Sequence, residues 1–88
     1  ALKHFAAPSF WENYRQLPPN IQKMADDYYD RLKSNPRHPS LHFKQIGRFR
    51  SVRVGFHHRA LAVEIPEGLV WFWIGTHDQY QRIIRKEA

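Results

Sequence analysis

The chain of 88 residues contains no cysteine, which removes disulfides and thiolate metal sites from consideration and fits a reducing compartment. Glycine is scarce, with four residues, and none is arranged as a glycine-rich phosphate loop. No Ser-His-Asp order or cysteine nucleophile is present. No apolar run approaches the ~20 residues of a membrane span, and the first residues lack a signal-peptide pattern. These absences describe a soluble, cytoplasmic domain. At this length there is material for a single core, and folding hides only about 60–65 % of the extended chain's surface. Each aromatic or aliphatic residue is therefore read first as packing.

Acid is missing from one particular stretch. The whole chain carries 14 Lys and Arg against 8 Asp and Glu, a formal charge of +6, with six histidines besides. From His42 to Arg59 there are Lys44, Arg48, Arg50, Arg53 and Arg59, with His42, His57 and His58, and no carboxylate. The acids lie on either side, at Glu12, Asp26, Asp27 and Asp30 before it and at Glu64, Glu67, Asp78 and Glu87 after it. A one-signed surface of this kind favours a polyanionic partner such as nucleic acid, or an acidic protein. A solvated sheet edge protected by positive charge is the plainer explanation. Arginine predominates, and its planar fork suits phosphate.

Periodicity divides the chain into two halves. Ser9 followed by Glu12 has the spacing of a capping box, and Phe10, Trp11, Tyr14 and Leu17 behind it give one apolar face of a short helix. Pro18 and Pro19 end that helix, and Asn20 is placed to cap a second one. In the second helix Ile21, Met24, Ala25, Tyr28 and Leu32 recur on one face until Ser34, Asn35 and Pro36. Beyond Pro39 the period becomes two. Leu41 to Ile46, Arg50 to Gly55, Arg59 to Ile65 and Leu69 to Ile74 read as strands, and Leu2 to Phe5 as a short initial one. Pro66-Glu67-Gly68 marks a hairpin turn. The last strand is apolar on both faces, as a covered central strand should be, and Trp71 and Trp73 are expected to share one face. Thr76 then caps a final helix with Tyr80, Ile83 and Ile84 on one side. The predicted order is β-α-α-β-β-β-β-α, an α+β domain with an antiparallel sheet backed by a helical hairpin.

His77 follows the central strand directly and should stand at its end beside the basic surface. An imidazole with an unperturbed pKa near ~6.5 can give or take a proton at neutral pH. Tyr80 lies one helical turn further on and can reach the same place. Both also have structural readings, His77 as the first residue of a surface helix and Tyr80 as its anchor on the sheet. The histidine spacings match no zinc motif and no carboxylate cluster accompanies them, so no metal is expected.

The ordered set Leu17-Pro18-Pro19-Asn20-Ile21-Gln22, Asn35-Pro36, His42-Phe43-Lys44, Ser51-Val52-Arg53-Val54-Gly55, Arg59-Ala60-Leu61 and Trp73-Ile74-Gly75-Thr76-His77-Asp78-Gln79-Tyr80 resembles the RelE/ParE superfamily, the toxins of type II toxin–antitoxin modules. The resemblance covers nearly the whole chain. It implies a microbial-RNase-like fold that cleaves messenger RNA, in many members on the ribosome, by attack of the 2′-hydroxyl on the neighbouring phosphate. No cofactor is required, and a cognate antitoxin is the expected protein partner.

By the same resemblance Arg59 would stabilise the phosphorane charge, and Arg53 would bind substrate or share that task. His77 would be the general acid and Tyr80 the base or a stacking group. Lys44 is a phosphate-binding candidate, joined by Arg48, Arg50, His57 and His58 of the basic stretch. Ser51 stands where the most active branch has a lysine. The superfamily also holds DNA gyrase poisons that act by binding alone, and an inactive nucleic-acid-binding homologue is a third possibility.

Overall fold

The computed structural model describes residues 3–87, so Leu2 of the expected first strand lies outside the described residues. The order is β1 (Lys3–Ala6), α1 (Pro8–Arg15), α2 (Pro19–Ser34), a 3-10 turn (Pro39–Leu41), β2 (Lys44–Ile46), β3 (Phe49–Val54), β4 (His58–Ile65), β5 (Gly68–Thr76) and α3 (His77–Glu87). The five strands form one sheet in the order β1-β5-β4-β3-β2. Strands β2 to β5 form the expected antiparallel meander. Strand β1 joins the edge of β5 in parallel, so the sheet is mixed. Among the described residues no helix is long and apolar enough to cross a membrane.

The helical hairpin forms where the apolar periodicity places it, but its ends are held differently. Helix α1 starts on Pro8, whose fixed φ suits the first helical position, and no side chain caps it. Ser9 Oγ instead donates to the carbonyl of Phe72 at 2.7 Å. Helix α2 likewise opens on Pro19 with no side-chain cap from Asn20. The Pro18-Pro19 corner is clipped by Gln22, whose Nε2 donates to the Tyr14 and Leu17 carbonyls at 3.1 Å. The Tyr14 carbonyl also accepts from the Leu17 amide at 3.1 Å, so Gln22 reinforces an end of α1 whose last carbonyls lack intrahelical partners. Tyr14 donates its hydroxyl to Asp26 Oδ1 at 2.9 Å, a second tie between the helices.

Two further expectations are corrected. Residues 41–43 do not extend β2: Pro39 and Ser40 enter a 3-10 turn in which the His38 ring accepts from the Ser40 amide at 3.2 Å. His42 leaves that turn in the left-handed region at φ 44°. Trp71 and Trp73 do not share a face in packing. Leu61 is opposite Trp73 and Ala62 opposite Trp71, so Phe72 is the extra residue of a β-bulge, which resets the alternation of side chains. Ser9 supplies the donor to the carbonyl at that irregularity.

The sheet consequently carries two cores. Trp71, Ile74, Ala60, Ala62, Val52 and Val54 pack towards the hairpin against Ala25 and Leu32. Trp73 and Phe72, with Leu61 and Phe49, pack on the opposite face beneath Tyr80, Ile83 and Ile84 of α3. Helix α3 covers only part of that second face. What it leaves open is the surface built by β3, β4 and the start of α3.

Candidate active site

In β3, Phe49, Ser51 and Arg53 alternate onto the face that bears α3, and in β4 Arg59, Leu61 and Val63 do the same. The β3–β4 register places Arg53 directly opposite Arg59. Two cations facing each other across neighbouring strands repel, so the sheet contains a pairing that its own stability opposes.

Arg59 sharpens that conflict. It is only 8 % exposed, yet among the described residues it has no ion pair with a carboxylate. Its Nη1 donates to Ser51 Oγ at 3.2 Å and its Cζ lies 5.1 Å from the centroid of the Tyr80 ring. Its Nε is buried with no hydrogen-bond partner. A buried guanidinium normally has a counter-ion. Here the chain provides a hydroxyl and an aromatic floor, leaving the position suited to an anion from outside.

Arg53 is fixed by its surroundings. Its Nε donates to the Gly55 carbonyl at 3.0 Å, and its Nη1 lies 3.2 Å from His42 Nε2. A guanidinium has donors only, so His42 Nε2 is the acceptor in this contact. The Arg53 Cζ also lies 5.1 Å from the centroid of the Phe56 ring.

His77 arrives from the other direction. Its amide donates to the carbonyl of His57 at 2.8 Å, which ties the start of α3 to the β3–β4 turn. Thr76 and Gln79 form a reciprocal capping box: Thr76 N donates to Gln79 Oε1 at 2.9 Å, and Gln79 N donates to Thr76 Oγ1 at 3.2 Å. The cap read at Thr76 is thus realised, and Gln79 extends it to a full capping box. His77 and Tyr80 have ring centroids 5.7 Å apart.

Together His42, Arg53, Phe56, His58, Arg59 and His77 line a cleft of about 210 Å³. Two arginines and three histidines border it, with no carboxylate in the wall. Burial, and then the neighbouring His57, hold the His58 pKa below its ordinary 6.5, so this ring is uncharged at neutral pH. Among the described residues no three His, Cys, Asp or Glu side chains are grouped to hold a metal ion. A larger cavity of about 400 Å³ lies beneath the helical hairpin, but its walls are overwhelmingly apolar and include neither arginine nor His77. Chemistry points to the smaller cleft.

The other predicted residues are distributed less uniformly. Tyr80, 4 % exposed, lies in the core under Arg59 and is not part of the cleft wall. Lys44 is directly opposite Ser51 in register, which puts it on the same face one strand further out. Arg50 faces the other way and donates from Nη2 to Glu64 Oε1 at 2.9 Å; the structure does not bring it to the cleft. Arg48 sits in the β2–β3 turn with its Cζ 5.0 Å from the Phe49 ring centroid. His57 contributes its backbone carbonyl rather than its ring. Two wall residues, His42 and Phe56, had not been singled out as site residues. His42 is brought in by a left-handed backbone that no sequence pattern announces, whereas Phe56 carries a readable signal as an aromatic residue in a glycine- and histidine-rich turn.

No protein-family model matches the sequence, and no curated protein matches it. Solved structures do. A chain of the RelB–RelE antitoxin–toxin complex from Methanococcus jannaschii has a TM-score of 0.68 at 16 % identity, over 90 % of this chain and 96 % of that one. YafQ from Escherichia coli has a TM-score of 0.67 at 12 % identity, over 91 % and 98 %. The isolated E. coli RelE toxin has a TM-score of 0.62 at 11 % identity over the full length of both chains. The chain therefore has the RelE-like toxin fold, in agreement with the α+β order read from the sequence.

Proposed function

We propose that this protein is the toxin of a toxin–antitoxin module and acts as a metal-independent endoribonuclease on messenger RNA, on the ribosome. The observation that carries the reading is the Arg53–Arg59 pair, whose buried member lacks a carboxylate partner among the described residues. Such a pair is unfavourable alone and becomes favourable when a phosphodiester enters between the guanidiniums. Similarity in fold to RelE and YafQ supports the same direction.

In the proposed reaction the 2′-oxygen of one nucleotide attacks the adjacent phosphorus and the P–O5′ bond breaks. The products are a 2′,3′-cyclic phosphate and a free 5′-hydroxyl. Negative charge that develops on the phosphorane oxygens is stabilised by Arg59, held from below by Tyr80 and from the side by Ser51, and by Arg53. Donors fixed before the reaction are worth most, because no reorganisation is needed as charge develops. His58, neutral for the reason given above, accepts the 2′-hydroxyl proton. His77 donates a proton to the departing 5′-oxygen. Tyr80 takes the role of a positioning residue for Arg59. Lys44 extends the positive face along the RNA backbone. Solved relatives in fold include complexes with antitoxins, and an acidic antitoxin segment laid across this face would neutralise it.

Transcript ends mapped shortly after induction test the reading, with Arg59→Ala and His77→Ala run in parallel. Cuts at in-frame positions of translated messages, absent in both variants, are the expected outcome. Growth arrest with intact messages would overturn it and direct attention to a binding poison of gyrase. Intact messages with normal growth would identify an inactive homologue.

A further inference from the structure

Phe56 is the most exposed large apolar side chain among the described residues, at 82 %. Single exposed apolar residues are common, so its location decides what the exposure means. The other three exposed large apolar residues, Phe5, Trp11 and Tyr29, are between 41 % and 44 % exposed and line the apolar cavity under the hairpin. Phe56 instead forms part of the wall of the cationic cleft, in the turn between β3 and β4. The left-handed backbone of that turn is supplied by Gly55 at φ 63°. The phenyl ring is therefore not what makes the chain reverse, and at this exposure it contributes little to the core.

Its ring is nevertheless held. The Arg53 guanidinium, anchored by Gly55 and His42, lies against it at 5.1 Å, within the range of a cation–π contact. With a cation against one side and solvent around the rest, the ring is a platform beside an anion-binding pair. Unpaired nucleobases dock on such aromatic platforms while their phosphates are held by neighbouring basic groups.

We infer that Phe56 is a base-stacking site for an unpaired nucleobase adjoining the phosphate held by Arg53 and Arg59. The inference rests on the RNA reading of the cleft and adds a second subsite to it. Because stacking uses the π face that every base has, Phe56 contributes affinity and register to the RNA without strong base selectivity.

The test uses the full chain and an uncleavable probe, a single-stranded 2′-O-methyl RNA oligonucleotide carrying 2-aminopurine at alternate positions and a dye at one end. Anisotropy of the dye reports binding, and 2-aminopurine quenching reports stacking. Wild-type protein should bind with quenching. Phe56→Leu should lose the quenching and weaken binding by about 5- to 100-fold, while Phe56→Trp should retain both. Equal quenching and affinity with Phe56→Leu would overturn the subsite and leave the RNA reading standing. Loss in both Phe56→Leu and Phe56→Trp would also overturn it, because a ring that must be phenyl is a shape contact and not a stacking platform. Unchanged RNA binding in Phe56→Leu with weakened capture of a protein partner would assign the ring to that partner. Absence of binding by wild-type protein would overturn the RNA reading itself. Thermal unfolding of each variant, expected to match wild type at so exposed a position, separates these outcomes from loss of fold.

Discussion

Ser51 Oγ accepts a hydrogen bond from Arg59 Nη1 at 3.2 Å, and Ser51 is wholly buried. The buried hydroxyl has a structural use of its own. It stands beside the arginine and provides one of the few partners that the buried guanidinium has. Ser51→Ala should lower unfolding free energy by about 1–3 kcal/mol, the range for removing a hydrogen bond to a buried charged group, and lower RNA cleavage as Arg59 loses its fixed orientation. Ser51→Lys should be worse than Ser51→Ala, since it places an ammonium in a closed site beside two guanidiniums. Urea titration of the three proteins checks the order, and a Ser51→Lys protein as stable as wild type would contradict it.

Arg59 sets stability against activity. Its charge is buried without a carboxylate among the described residues, and an apolar residue of similar length removes that burden. Replacing a buried ion by a well-packed apolar side chain is commonly neutral or stabilising, by about 1–4 kcal/mol in favourable cases. Arg59→Met should therefore keep or raise the melting temperature while cleavage falls by about 100-fold or more, as when an oriented donor to a transition-state oxygen is removed. Calorimetry beside a cleavage assay reads both. A large drop in melting temperature would show that Arg59 is structural.

His4 gives the fold a pH dependence far from the cleft. Its Nδ1 accepts from Trp71 Nε1 at 3.0 Å, an arrangement that a proton on that nitrogen abolishes. Burial, and then Lys33, hold its pKa below the ordinary 6.5, and His58 is lowered in the same sense. A group whose pKa is depressed in the folded state adds stability that is fully present above the unfolded value. That contribution is lost as pH falls through the folded pKa. Stability should thus be level from pH 8 to about 7 and decline on further acidification. His4→Asn retains an acceptor without titrating, so its decline between pH 7 and 5 should be shallower than that of wild type. Identical slopes would show that His4 is not responsible.

The fold was legible where local pattern and tertiary packing agree. The apolar stripe through Met24, Ala25, Tyr28 and Leu32, the turn at Gly68 and the strand run from Leu69 to Ile74 all lie where their periods place them. The parallel pairing of β1 was not legible, because four residues carry no mark of the direction of their neighbour. Nor was the bulge at Phe72, since Trp71, Phe72 and Trp73 are all apolar and either alternation fits. In the site, the acid-free stretch pointed to Arg53 and Arg59 only together with Lys44, Arg48 and Arg50, and the strand end pointed to His77; singling out the two arginines rested on the family resemblance. The opposite face of Arg50 follows in retrospect from counting by two from Arg53. His42 required a left-handed residue after a 3-10 turn, which the two-residue period conceals.

The capping box read at Ser9 and the cap read at Thr76 separate what spacing implies from what packing selects. Ser9-x-x-Glu12 has the right residues, but Pro8 already begins α1 and Ser9 donates to Phe72 across the domain. Thr76-x-x-Gln79 forms both reciprocal bonds, and between them lies His77, the proposed general acid. Thr76→Ala should cost about 1 kcal/mol of stability, as loss of a cap usually does. It should also cut cleavage more than that loss of folded protein explains, because the first turn of α3 orients the imidazole. Thr76→Ser preserves the acceptor and should restore both properties. Ser9→Ala should leave cleavage near wild type, since its bond lies on the hairpin side of the sheet. Activity normalised to folded protein decides the matter: equal values for Thr76→Ala and Ser9→Ala would detach the capping box from the site and leave the His57 carbonyl and the Tyr80 ring as the contacts that hold His77.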